Sequence, residues 1–333
     1  MPSAFFSAAR PLAYRHRVTV FWAAVSALAA VAGVVVAVVF GILPYRQHHR
    51  TDASRDGSRG AEARRPGRSF SPPPVLDVEV RGRDALVVEL TRLAARPDGR
   101  VHVLSGLGGS GKSTIARAVA AQIVADGGQV WWVSASDPVS MTQLLLGLAR
   151  ELGASRADVE EALSGRVNPS DVLWRQLEEV HGWTLLLDNA DEVAGLSAGD
   201  RPASSGAGWL RPTTAGLVVI TSRVDDAAWG RGAAIHPVEP LKAEDGGKVL
   251  RDLAPRAGTP EEAQLLAERL AGLPLALHQA GSYLASPFAS AQTFAKYRQT
   301  LARRFGELWT APGSLEALIP GRMQSHASTT EVP

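Results

Sequence analysis

Nine residues, GLGGSGKST from Gly106 to Thr114, lie between a short β-branched run (Arg100 to Ser105) and an Ala-rich stretch (Ile115 to Ala125). That order predicts strand, glycine loop, helix, and it leaves the chain few alternatives. The loop needs a buried strand behind it and a helix N-terminus ahead of it. Gly106, Gly111, Lys112 and Ser113 meet the spacing G-x-x-x-x-G-K-S. Glycines at 106, 108, 109 and 111, with Ser110 among them, let successive backbone N–H groups turn inward as an anion nest: Gly106, Gly108, Gly109 and Gly111 are the candidate cradle. Lys112 is expected to reach the β- and γ-phosphates of a nucleotide and the Ser113 hydroxyl to ligate Mg²⁺. Thr114 is expected on the α-phosphate side.

Gly106, Gly108 and Gly111 also satisfy G-x-G-x-x-G, the spacing of a dinucleotide fold. That fold requires an acidic residue about twenty positions on, at the end of the second strand, to hold a ribose. The segment there reads Gln129-Val130-Trp131-Trp132-Val133-Ser134, without a carboxylate. The phosphate-loop reading is therefore preferred. It is sharpened by composition, because only four lysines occur in the chain and one of them is Lys112.

Trp183 to Leu187 is a continuous apolar run ending in Asp188-Asn189-Ala190-Asp191-Glu192. Such a run suits a strand buried on both faces, with Asp188 delivered to its C-terminal edge beside the phosphate loop. Asp188 is the candidate second Mg²⁺ ligand, although a surface turn after a buried strand would also end in Asp and Asn. A third strand, Gly216 to Ser222, ends in Arg223. Arg223 either reaches the γ-phosphate or pairs with Asp225 or Asp226. Asp188 and Arg223 are the two residues expected to act on the phosphates during turnover.

The N-terminal part is of another kind. From Val18 to Leu43 there are 26 residues without a charge, flanked by arginines on both sides. At 1.5 Å per residue this exceeds the roughly 30 Å hydrocarbon core and is expected to form a single membrane-spanning helix. Residues 44–74 carry seven Arg against three acids and almost no large apolar side chains, the composition of a disordered tether that anionic lipid headgroups would attract. Over the whole chain, 35 basic residues nearly cancel 33 acidic ones. A net charge of +2 offers no general drive toward nucleic acid, and none is expected as partner. Zero cysteines exclude disulfides, thiolate metal sites and cysteine nucleophiles.

In the order of its parts the chain resembles the NB-ARC group of STAND-class P-loop ATPases. Val80-Arg81-Gly82-Arg83-Asp84 is similar to that family's opening motif, GLGGSGKST to its Walker A, LLLDNADE to its Walker B and ITSR to its sensor strand. Gly272-Leu273-Pro274-Leu275-Ala276-Leu277 matches its GLPLAL motif. The resemblance, over about residues 80–302, implies that Arg83 and Pro274 contact the nucleotide, ATP or ADP. It also implies a switch that signals through a protein partner or a homo-oligomer. Many relatives end the Walker B strand with two acids; here the second is Asn189, so hydrolysis is expected to be slow or absent. The sequence stops about where the family enters a winged-helix domain and a repeat array.

The expected architecture is α/β: a P-loop NTPase domain (75–240) with a mostly parallel sheet of about five strands, then a helical subdomain (241–305). A basic segment (1–17), the transmembrane helix (18–43), the linker (44–74) and a tail (306–333) flank them. Because ATP and Mg²⁺ are abundant only in the cytosol, the nucleotide-binding part is expected there, anchored to the cell membrane by one pass. A non-catalytic nucleotide-binding scaffold is the rival reading, and a small-molecule kinase a weaker one, since no Arg-bearing lid insertion is evident.

Overall fold

A computed structural model describes residues 79–225 and 227–310. The expected transmembrane helix at residues 18–43, the linker at 44–74 and the end of the tail lie outside the described residues. Among the described residues no helix is long and apolar enough to cross a membrane.

Helix α1 (Asp84–Ala95) leads into β1 (Val101–Ser105), α2 (Lys112–Ala125), β2 (Gln129–Ser134), α3 (Pro138–Leu152), α4 (Arg156–Leu163) and α5 (Pro169–Leu177). Strands β3 (Trp183–Asp188), β4 (Gly216–Ser222) and β5 (Ala233–Pro237) follow. Four helices close the described chain: α6 (Ala243–Leu253), α7 (Pro260–Arg269), α8 (Pro274–Ala285) and α9 (Phe294–Thr310). Several helix starts are written locally. Asp137 accepts the Ser140 N–H at 2.8 Å with Pro138 in the first turn of α3, and Thr259 and Glu262 form a reciprocal capping box around Pro260 at the start of α7.

The five strands form one sheet in the order β2-β3-β4-β1-β5, and every pairing is parallel. Alternate residues of each apolar run face opposite sides. Val101, Val103, Leu185, Leu187, Val218 and Ile220 pack with Met141, Leu145, Leu148, Leu173 and Trp174 of α3 and α5. Leu104, Leu186, Leu217 and Val219 pack on the other face with Leu90 of α1 and Ile115, Val119 and Ile123 of α2. A sheet covered on both faces explains why these strands read as unbroken apolar runs. Gly216 is required by close approach: a Cβ there would lie 2.2 Å from the Trp183 ring.

Two details depart from the sequence reading. Strand β1 begins at Val101, because Arg100 is drawn outward: its backbone N–H donates to Asp98 Oδ1 at 3.0 Å and its guanidinium to the Ala233 carbonyl at 2.9 Å. Strand β5 had no distinctive pattern in the sequence, since its residues are only half-buried at the sheet edge.

His236 of β5 meets the buried His102 of β1, Nε2 to Nδ1 at 3.0 Å, while His102 Nε2 lies 3.0 Å from Asp98 Oδ1. Burial, with the neighbouring His102 next, pushes the His236 pKa below the usual histidine value; Arg100 adds to this, and Glu89 and Asp98 oppose it. The unfolded chain therefore binds a proton on this side chain more readily than the folded one. Folding stability is expected to fall as pH drops through about 6.5 toward the lower folded value and to level off below it. Urea midpoints measured from pH 8 to 5 check this; His236→Gln should flatten that part of the profile, and an unchanged profile would refute the assignment.

Candidate functional site

The loop after β1 is shaped by glycines and closed by its own lysine. Gly109 and Gly111 take φ of 79° and 95°, the left-handed region that glycine occupies without a Cβ penalty. Helix α2 starts at Lys112 with Gly111 as its N-cap and no side-chain cap, so its first N–H groups point toward the loop. Lys112, only 9% exposed, donates from Nζ to the carbonyls of Gly106 at 2.8 Å and Leu107 at 2.9 Å. Burial pushes its pKa down, opposed by Asp191 and Asp188, with Arg223 adding to the depression. The Ser110 hydroxyl is buried without a hydrogen-bond partner.

Gly106 works behind the loop. Its N–H donates to the Ser222 carbonyl at 3.2 Å, and a Cβ there would stand 2.6 Å from the Val238 carbonyl oxygen. Gly108, Gly109, Ser110, Gly111, Lys112, Ser113 and Thr114 line a cavity of about 790 Å³, together with Arg83, Arg223 and Pro274.

Strand β4 runs between β3 and β1. Asp188 reaches the phosphate loop across it: its Oδ1 accepts from Ser113 Oγ at 2.7 Å and from Thr221 Oγ1 of β4 at 2.5 Å. Thr221 Oγ1 in turn accepts the Asn189 N–H at 2.9 Å, holding Asn189 in a left-handed conformation with φ 64°. Thr221 thus sets the position of both residues at the end of β3, and it lines the cavity. Sequence reasoning passed over it because a threonine in a β-branched strand looks like ordinary strand composition. The available signal was its polarity at the strand's C-terminal end.

Arg223 closes on a partner the sequence did not point to. Its Nε donates to Asp191 Oδ2 at 2.6 Å and its backbone N–H to Asp191 Oδ1 at 2.8 Å. Asp191 is the partner in these bonds, and it is delivered there because Ala190 is tied to β4 on both sides. The Ala190 N–H donates to the Thr221 carbonyl at 2.9 Å, and Ser222 Oγ donates to the Ala190 carbonyl at 2.8 Å.

The helical part forms the opposite wall. The Leu275 N–H, at the start of α8, donates to the Gly109 carbonyl at 3.1 Å, and a Cβ on Gly109 would lie 2.8 Å from that of Leu275. Pro274 faces Gly111, 3.7 Å from where a Cβ would be. Arg83 donates to the Glu239 carbonyl, and burial lowers its pKa. Arg81 pairs with Asp252 of α6 at 2.9 Å and 3.2 Å, linking the segment before α1 to the helices. Leu275 and Arg81 were missed as wall residues; their neighbours Pro274 and Arg83 were the signal.

These groups fit a polyphosphate with a divalent cation. Left-handed glycines, a helix N-terminus without a side-chain cap, a buried ammonium and an orphaned Ser110 hydroxyl suit phosphate oxygens, while Ser113 and Asp188 are hard oxygen donors suited to Mg²⁺. Sheet, loop and carboxylate together define the chain as a parallel α/β protein with a phosphate-loop motif after its first strand.

Comparison with known proteins adds no finer identity. No family profile matches the sequence, and no curated protein matches it. The chain is similar in structure to a STAND protein with a tetratricopeptide repeat sensor from Pyrococcus horikoshii, at 18% identity and TM-score 0.44, over 68% of this chain and 33% of that one. It is similar to a chain of Drosophila ORC bound to DNA, at 16% identity and TM-score 0.44, over 79% and 73%. The Hsp104–ADP complex of S. cerevisiae matches at 19% identity and TM-score 0.40, over 75% and 36%. The chain thus spans about a third of the length of the archaeal STAND protein.

Proposed function

We propose that this chain is a nucleotide-dependent signalling switch that binds ATP or ADP with Mg²⁺ and is anchored to the cell membrane through Val18 to Leu43, with its nucleotide-binding part in the cytoplasm. The observation that carries this reading is the contact between Leu275 of α8 and the Gly109 carbonyl of the phosphate loop. One wall of the cavity belongs to the sheet domain and the other to the helices, so a change at the phosphates alters the seat of the helical part. That is the coupling a switch needs. Lys112 and the loop N–H groups would hold the β- and γ-phosphates, Ser113 and Asp188 the Mg²⁺, and Arg83 and Pro274 the nucleoside end. The readout passes to a protein partner or to a second copy of this chain.

Asn189 lines the cavity where a second carboxylate would activate water, and an amide cannot accept that proton. Turnover is therefore expected well below the roughly 1–100 s⁻¹ of efficient phosphoryl-transfer enzymes. The same residue favours a second reading, a scaffold that holds nucleotide as a structural ligand without hydrolysing it. The test is the nucleotide recovered on denaturing the purified chain, followed by single-turnover hydrolysis. Retained ADP with slow turnover supports the switch, and retained ATP with no turnover supports the scaffold. A chain that carries no nucleotide and shows no binding heat with MgATP or MgADP refutes both.

A further inference from the structure

We propose that Asp191 is a latch on Arg223, so that a third phosphate gains the arginine only by displacing this carboxylate. The inference rests on the nucleotide reading above and concerns how the site tells ATP from ADP. Both oxygens of the one carboxylate hold the one arginine: Oδ1 takes its backbone N–H and Oδ2 its Nε. The bond to Nε beside the bond to the backbone N–H holds the near side of the guanidinium against Asp191.

The two partners differ in freedom. Asp191 is 20% exposed and follows Ala190, which is pinned to β4 through Thr221 and Ser222. The Arg223 side chain is 63% exposed and passes along the phosphate loop, with Cδ 4.0 Å from where a Cβ on Gly108 would be. The anion is anchored to β4, and the cation is the more exposed of the two. Both line the cavity that Lys112 enters, and Lys112 feels them with opposite sign.

An anionic group arriving beside Gly108 competes with Asp191 for the same guanidinium and meets the charge of Asp191 itself. ADP, which ends one phosphate earlier, leaves the pair closed. The latch therefore subtracts from the affinity for ATP more than from that for ADP, and it makes the position of Arg223 a report of the third phosphate.

The experiment is calorimetric titration of the full chain with MgATP and MgADP. Asp191→Asn keeps an oxygen for the Arg223 N–H and removes the charge that holds Nε; it should raise the ATP-to-ADP affinity ratio by about tenfold. In the double variant Asp191→Asn with Arg223→Ala that gain should vanish. An unchanged or lowered ratio in the single variant overturns the latch, as does a gain that persists in the double variant, which would make Asp191 a repelling charge only. If circular dichroism shows Asp191→Asn unfolded, Asp191→Ser is titrated instead with the same criteria. Failure of the wild-type chain to bind either nucleotide refutes the nucleotide reading and the latch together, whereas binding of both with an unmoved ratio removes the latch alone.

Discussion

Lys112→Ala is expected to weaken MgATP binding by about 3 kcal/mol, on the order of a hundredfold. The ammonium is held by two carbonyls of the loop at 2.8 and 2.9 Å and lines the cavity. A phosphate oxygen entering the loop replaces those neutral acceptors with an anionic one, so the ammonium gains an ion pair in addition to its hydrogen bonds. Burial has already lowered the lysine's pKa, so an incoming anion also recovers charge stabilisation that the folded chain lacks. The stability of the variant should change much less than its affinity. The alanine removes two hydrogen bonds but also removes a partly buried charge. Calorimetry on the variant and the wild type, with urea unfolding in parallel, separates the two effects. Equal affinity for MgATP would refute the phosphate-loop assignment.

The second large effect lies in the helices. Gly272 has φ 62°, and a Cβ there would stand 2.0 Å from the Leu241 carbonyl oxygen. The Gly272 carbonyl accepts the Leu241 N–H at 2.8 Å, so the two backbones cannot separate without losing that bond. Ala271 before it already takes φ 53°, which leaves the turn little room to relax. Gly272→Ala should cost about 3 kcal/mol or more, from left-handed strain together with a backbone clash. It should also weaken nucleotide binding, because Pro274 and Leu275 follow within three residues and form the helical wall of the cavity. A urea midpoint equal to wild type would show that the turn is not built as described. A stable variant with normal affinity would show that the wall does not depend on it.

Legibility followed the range of the interactions. The strand, loop and helix around residues 101–125 were readable because each part is dictated by neighbours: left-handed glycines, a β-branched run and an uninterrupted helix-forming stretch. Strands β3 and β4 were readable because burial on both faces leaves only apolar residues along them. Strand β5 was not, since an edge strand half-covered by its neighbours has no such pattern.

The sequence by itself determined that this chain carries a phosphate-binding loop on a buried strand, a carboxylate at the end of another, and a glycine–proline turn before a helix. Those features depend on backbone preferences and burial patterns that act over a few residues. Only the tertiary structure decided that β4 separates β3 from β1, which makes Thr221 the link between Asp188 and Asn189. It also decided that Arg223 closes on Asp191, and that Leu275 seats the helices on Gly109. Each of these contacts joins positions more than thirty residues apart. Its partner is chosen by strand order and by where two packed layers meet, and neither is encoded in any local pattern of residue types.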